Sequence, residues 1–377
     1  MATGAFILQA SDLDSLIQAL QNESFEVMGP TIRDQAIIYD VINKSSDFPQ
    51  GWTDVQEKGT YRLTKRNDKA YFGYAVGPHS WKKFLHLPKR KIWDAEKTKD
   101  GLSFREAQDP VRPMAFLGVR SCELHAIDIQ DRVFSHGQFV NQSYKDKRDH
   151  VFIVAINCAT PAKTCFCTAM KTGPRVTLDN DLTMTEIVGQ NEHFFFIKSG
   201  SSKGDRILQK LPLQPATESD QKKEAIVVQT TINQVQSGPR AIDSSDLKDL
   251  LYRNYENPEW EEVAKRCLSC ANCTMACPTC FCSTVEDVTD LKGDHAERWE
   301  LWDSCFTGDF SYVHGGSIRQ NTRSRYRQWM THKLATWIDQ FGTSGCVGCG
   351  RCIAWCPVGI DITEEVLAIR KKEKNHV

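Results

Sequence analysis

The sequence predicts an α+β protein: an N-terminal domain of α/β type, followed by a mostly helical, ferredoxin-like dicluster domain. Three observations carry this. Short apolar strands alternate with helical periodicity through residues 1–198. A polar stretch runs over 199–245. Fifteen cysteines stand in 377 residues, and eight of them form a duplicated pattern in the last third.

Along the chain, Ser11–Leu20 has helical spacing and starts at a Ser/Asp cap. Ala115–Val119 and Val151–Asn157 read as buried strands, with a helix over Glu123–Val133 between them, and His193–Lys198 reads as a further strand. Residues 199–245 open with SGSSKGD and close with QSGPRAIDSSD, so they read as a domain edge and linker. One strand-like patch, Ala225–Thr231, interrupts them. Ser244 or Ser245 is placed to cap a helix running toward Arg266. Residues 246–377 form the cysteine-rich domain, with an insertion at 279–344. The insertion contains TRSRYRQWMTHKLATWIDQF, a basic helix with aromatics at Tyr326, Trp329, Trp337 and Phe341. Its plain reading is a solvated face or a shield over the cysteines; a docking surface for an acidic partner is the sharper one.

Bulk properties narrow the function classes. Hydrophobic residues make up 40% and charged residues 25%, as in an ordinary globular protein. A net charge of −1 gives no electrostatic reason to bind nucleic acid or an anionic membrane. The longest apolar runs, such as Val151–Ile156, are too short to span a bilayer. The first residues lack a basic n-region, so a cytoplasmic location is expected. In that reducing setting, an odd number of cysteines fits free, catalytic or metal-bound thiols better than a disulfide scaffold.

The spacing of the cysteines is the strongest signal. Cys267, Cys270, Cys273 and Cys277 with Pro278 form C-x2-C-x2-C-x3-C-P, and Cys346, Cys349, Cys352 and Cys356 with Pro357 repeat it. Three thiolates on a tight loop can wrap three irons of one cubane, while the fourth reaches a neighbouring cluster. This pattern predicts two [4Fe–4S] clusters. Cluster A takes Cys267, Cys270, Cys273 and Cys356; cluster B takes Cys346, Cys349, Cys352 and Cys277. Zinc sites use C-x2-C pairs instead, and disulfides do not close within such short spacings. With four thiolate ligands each, such clusters have no open iron for substrate and act as a one-electron relay.

Four further cysteines, Cys122, Cys158, Cys165 and Cys167, lie in the N-terminal domain. Cys122 and Cys158 follow predicted strands. If those strands are neighbours, the four sulfurs converge, as a third [4Fe–4S] cluster or a zinc ion would require. Burial as structural thiols is the alternative. Cys280, Cys282 and Cys305 either replace a ligand, line the relay or pack beside it, and packing is the simpler reading. His314, in YVHGGS, reads as a structural turn residue. No dinucleotide fingerprint, Walker loop, nucleophile elbow or HExxH occurs, so no catalytic residue is identified.

The strings RCLSCANCTMACPTCFC, WDSC (Trp302–Cys305), HGG (His314–Gly316), RYRQ (Arg325–Gln328) and CVGCGRC resemble the beta subunits of sulfhydrogenases. So do GVRSCELHAIDIQDRVF and CATPAKTCFCTAMKTGP in the N-terminal half. The related iron–sulfur subunit of anaerobic sulfite reductase is similar over the same stretches. The Cys122–Pro174 region reads closer to the hydrogenase branch. The resemblance implies an electron-transfer subunit of an oxidoreductase complex, not catalytic alone. It would relay electrons between a nickel–iron hydrogenase module and a flavin/NAD(P)-binding subunit. It also implies that Cys122, Cys158, Cys165 and Cys167 are ligands. The competing readings are a component of a sulfite reductase, a self-contained iron–sulfur reductase and an oxygen-sensing regulator.

Overall fold

A computed structural model describes residues 4–75 and 77–374. The strands Met114–Arg120 and Val151–Ile156 are buried at every position. Unbroken apolar runs of this kind belong to parallel strands covered on both faces. They pair in parallel with each other and, on either side, with Glu26–Arg33 and Leu182–Val188. Antiparallel strands complete an eight-stranded sheet: Ala36–Val41 at one edge, and His193–Ser199, Ala5–Gln9 and Gln214–Pro215 at the other.

Helices cover the two faces. On one, Leu13–Asn22 places Leu13, Leu16, Ile17 and Leu20 against Leu117, Val154 and Phe195. That i, i+3, i+4, i+7 spacing is the stripe read from the sequence. On the other, Ser121–Phe134 packs Leu124 and Ile127 against Phe116 and Ile153. A bulge at Gly118 (φ +97) lies just before the functional end of its strand. A Cβ there would come within 2.6 Å of the Phe72 ring.

The polar segment is more ordered than a linker. It holds the helix Ser202–Leu208, the edge strand Gln214–Pro215 and the helix Glu218–Gln236. The last of these corrects the strand expected over Ala225–Thr231. The β-branched run suggested a strand, but Glu224, Val228, Thr231 and Val235 are the buried positions, a helical stripe. A capping box between Thr217 and Asp220 starts this helix. Neither Ser244 nor Ser245 caps a helix: their hydroxyls bond Ala169 O and Asp243 Oδ1. Two helices, Leu247–Arg253 and Glu259–Arg266, lead to the first cysteine motif.

The C-terminal part is helical around its motifs but not throughout. The hairpin Ser283–Thr289 and His295–Trp302 joins Lys89–Thr98 and Gly101–Glu106 in a four-stranded sheet, so the insertion is stitched to the N-terminal half. The expected basic helix forms over Thr322–Thr331 and continues through a π turn, His332–Thr336, into Trp337–Phe341. The architecture is mixed α/β with the duplicated motif near the C-terminus. No helix among the described residues is long and apolar enough to cross a membrane.

Candidate metal centres

The two cysteine motifs fold alike. In the first, Ser269 and Ala271 have φ of 50° and 65°; in the second, Gly348 and Gly350 occupy the same places with φ of 65° and 74°. The left-handed turns let a backbone N–H reach back to the first thiol: Ser269 N donates to Cys267 Sγ and Gly348 N to Cys346 Sγ, both at 3.4 Å. A short helix follows each, Asn272–Met275 and Arg351–Ala354. Only the second copy needs glycine. The Thr164–Cys167 loop lies directly against it, with Phe166 N donating to Gly348 O at 2.8 Å. A Cβ on Gly350 would meet Thr164 O at 2.4 Å.

Cys267, Cys270, Cys273 and Cys356 line one cavity, so the fourth cysteine of the second motif reaches the loop of the first. Phe306, Tyr326, Trp329, Ile360 and Ile362 close it with apolar surface. Cys277 in turn lies within electrostatic reach of Cys346, Cys349 and Cys352. Cys122, Cys158, Cys165 and Cys167 line a second cavity. Cys122 and Cys158 follow the carboxyl ends of adjacent parallel strands, where open α/β sheets place their ligands. The cis peptide Gly173–Pro174 lies in the wall.

These sites fit iron–sulfur clusters on two counts. Among the described residues, no three His, Cys, Asp or Glu side chains are gathered tightly enough to hold a single metal ion. The thiols of the Cys267 and Cys122 sets instead line shared cavities, as a cubane requires and zinc does not. Buried donors are also left over at the cavities. The Tyr326 hydroxyl and Trp329 Nε1 line the first cavity without a hydrogen-bond partner. Arg351 Nη1, in the Cys349 loop, and Arg120 Nε, in a residue lining the second cavity, are likewise unpaired. Cluster sulfides accept such hydrogen bonds.

Buried cations stand at two of the three sets. Arg120 donates from Nη1 to Cys158 Sγ at 3.0 Å. Lys333, 3% exposed, donates to Cys277 Sγ at 3.4 Å. Burial pushes the thiols of Cys165 and Cys346 up to about 12. Cys277 departs from this: a hydrogen bond from Cys280 and the Lys333 ammonium hold it well below the ordinary value, against burial.

Cys280, Cys282 and Cys305 line neither cavity. Cys280 hydrogen-bonds Cys277, and Cys282 pairs with Cys305. His314 is exposed in its turn.

Residues 266–360 match the 4Fe-4S dicluster domain family. This dicluster domain spans both cysteine motifs and indicates [4Fe–4S] clusters. The chain is also similar over most of its length to Sulfhydrogenase 2 subunit beta of Pyrococcus furiosus. The two are 27% identical over 335 residues, covering 87% of this chain and 95% of that protein. The Cys122–Cys167 set lies outside the dicluster domain. Spacing alone gave no access to Arg120, Lys333 and Arg351. A charged residue ending an all-apolar strand, as Arg120 does in FLGVR, was the one available signal.

Proposed function

We propose that the chain is a cytoplasmic electron-transfer subunit holding three [4Fe–4S] clusters. Cluster A would be held by Cys267, Cys270, Cys273 and Cys356, and cluster B by Cys346, Cys349, Cys352 and Cys277. The third would be held by Cys122, Cys158, Cys165 and Cys167. It would work between a nickel–iron hydrogenase module and a flavin/NAD(P)-binding subunit, the reading to which the similarity to a sulfhydrogenase beta subunit lends support.

One observation carries the relay. The middle set shares a wall with each of the others: Cys352 lines the cavity of the first motif and Cys349 lines the N-terminal cavity. This supports a linear order, with the Cys346 loop between two flanking sites. Clusters bound there supply one-electron transfer. The protein's own part is to keep water away and to hold the thiolates still. Phe306, Tyr326, Trp329 and Ile360 do the first, and the duplicated loops do the second. Cys270 is the exposed cysteine of its set and marks one outer end.

Anaerobic purification with co-purifying subunits tests this directly. The expected result is about twelve irons per chain, with flavin and nickel–iron subunits identified by mass spectrometry. Cys270→Ser and Cys349→Ser should abolish NAD(P)-coupled turnover and spare activity with a dye that bypasses the relay. A sirohaem partner would move the protein to sulfite reduction, and unimpaired coupled turnover in both variants would refute the relay.

A further inference from the structure

The residues 322–341 lay one face of a helix along two of the cysteine sets. Tyr326 and Trp329 line the cavity of Cys267, Cys270, Cys273 and Cys356. Lys333, four residues beyond Trp329, reaches the middle set. Its ammonium donates to Cys277 Sγ at 3.4 Å, Thr279 Oγ1 at 3.0 Å and Gly345 O at 3.0 Å. No carboxylate pairs with it among the described residues. The helix widens into its π turn at His332–Thr336, where Lys333 sits. Such turns occur frequently at functional sites.

The two dicluster sets are otherwise alike in their backbone donors. Cys267 and Cys356 accept from Ser269 N and Ile360 N at 3.4 and 3.3 Å, and Cys346 accepts from Gly348 N at 3.4 Å. They differ in charge. The unpartnered buried donors in the lining of the cluster A cavity are the neutral Tyr326 and Trp329. Arg325, outside that lining and with its Nε unpartnered, donates to Arg319 O, Gln320 O and the Ser269 hydroxyl, and to no thiol of the set. Around cluster B stands the buried Lys333, without a carboxylate partner among the described residues, whereas the wholly buried Arg351 is ion-paired with Glu123.

We propose that Lys333 sets the reduction potential of cluster B, holding it above that of cluster A. Reduction adds one negative charge to a cluster. A fixed cation in a water-excluded site stabilises that added charge far more than neutral donors do. Water at the exposed Cys270 acts in the same sense on cluster A. It is weaker than an ammonium bonded to a ligand sulfur, because it is neutral and one-sided. Of the two dicluster sites, cluster B is then where an electron rests.

The inference rests on the cluster assignment above. Its test is an EPR-monitored redox titration of the full complex, purified anaerobically, with the cluster B signal identified by its change in Cys346→Ser. In the native protein, cluster B should reduce at a higher potential than cluster A. Lys333→Met should move the cluster B midpoint to more negative potential and leave cluster A in place. Lys333→Arg, which keeps the charge, should restore most of the shift. A cluster B midpoint unmoved in Lys333→Met, or a native cluster A at or above cluster B, overturns the proposal. Where Lys333→Met does not load cluster B, the native order decides. Native iron too low for two clusters would refute the assignment itself, a distinct outcome.

Discussion

Glu123 and Arg351 form an ion pair from which water is excluded, the arginine 0% and the glutamate 1% exposed on their side chains. Glu123 lies on the helix that follows the strand Met114–Arg120, and Arg351 lies between two cysteines of the second motif. The carboxylate also accepts from Tyr39 Oη at 2.7 and 2.9 Å and from Trp81 Nε1 at 3.2 Å. The guanidinium also donates to Gly77 O and His79 O, each at 2.9 Å. The pair thus fastens the cysteine loop to the sheet.

Removing one member leaves a buried, uncompensated charge. Glu123→Ala is expected to cost about 3–5 kcal/mol of stability, read from the urea midpoint of the anaerobic protein. Replacing both, Glu123→Leu with Arg351→Met, should cost clearly less than the two single changes summed. Simple additivity would count against coupling through this pair.

The duplicated loops differ in tolerance. Gly350→Ala puts a Cβ against the Thr164 carbonyl at a positive φ, a conflict that a backbone oxygen cannot relieve. A loss of about 1–3 kcal/mol is expected. The matching change in the first copy, Ala271→Gly, relieves a left-handed alanine while loosening the unfolded chain. Its net effect should stay within about 1 kcal/mol. Thermal unfolding of the two variants side by side checks the contrast.

Iron content separates the cysteines by role. Cys158→Ala is expected to lose about four irons per chain and leave the other clusters' signals in place. Cys282→Ser and Cys305→Ser, whose thiols line neither cavity, should keep the full iron content. Loss of iron in either of these two would reassign them as ligands.

Loading should depend on pH. The Cys346 and Cys165 thiols, pushed up to about 12 by burial, are protonated in the cluster-free protein at neutral pH. Ligation needs the thiolate and so releases protons. Affinity should therefore rise as pH rises toward the thiol values and fall as pH drops. Reconstitution of chelator-stripped protein at pH 6.5 and pH 8.5 reads this. Tighter loading at the lower pH would contradict it.

Features that depend on neighbours along the chain were legible in the residues alone. Three cysteines two residues apart fold into the same turn in both copies, because the geometry is local. The buried strands and the helix at Ser121–Phe134 were equally legible, since apolar runs and helical spacing report burial directly. A local signal misled where β-branched residues clustered, at Ala225–Thr231. There the buried stripe of a capped helix outweighed strand propensity. Relations between distant segments emerged only on folding. The parallel pairing of two strands brings Cys122 and Cys158 together. The pairing of residues 89–106 with the hairpin 283–302 ties the insertion to the N-terminal half. The delivery of Arg120, Arg351 and Lys333 to the thiols is of the same kind. A buried cation is a matter of three-dimensional solvent exclusion and partner placement, and neither leaves a periodic mark in the sequence.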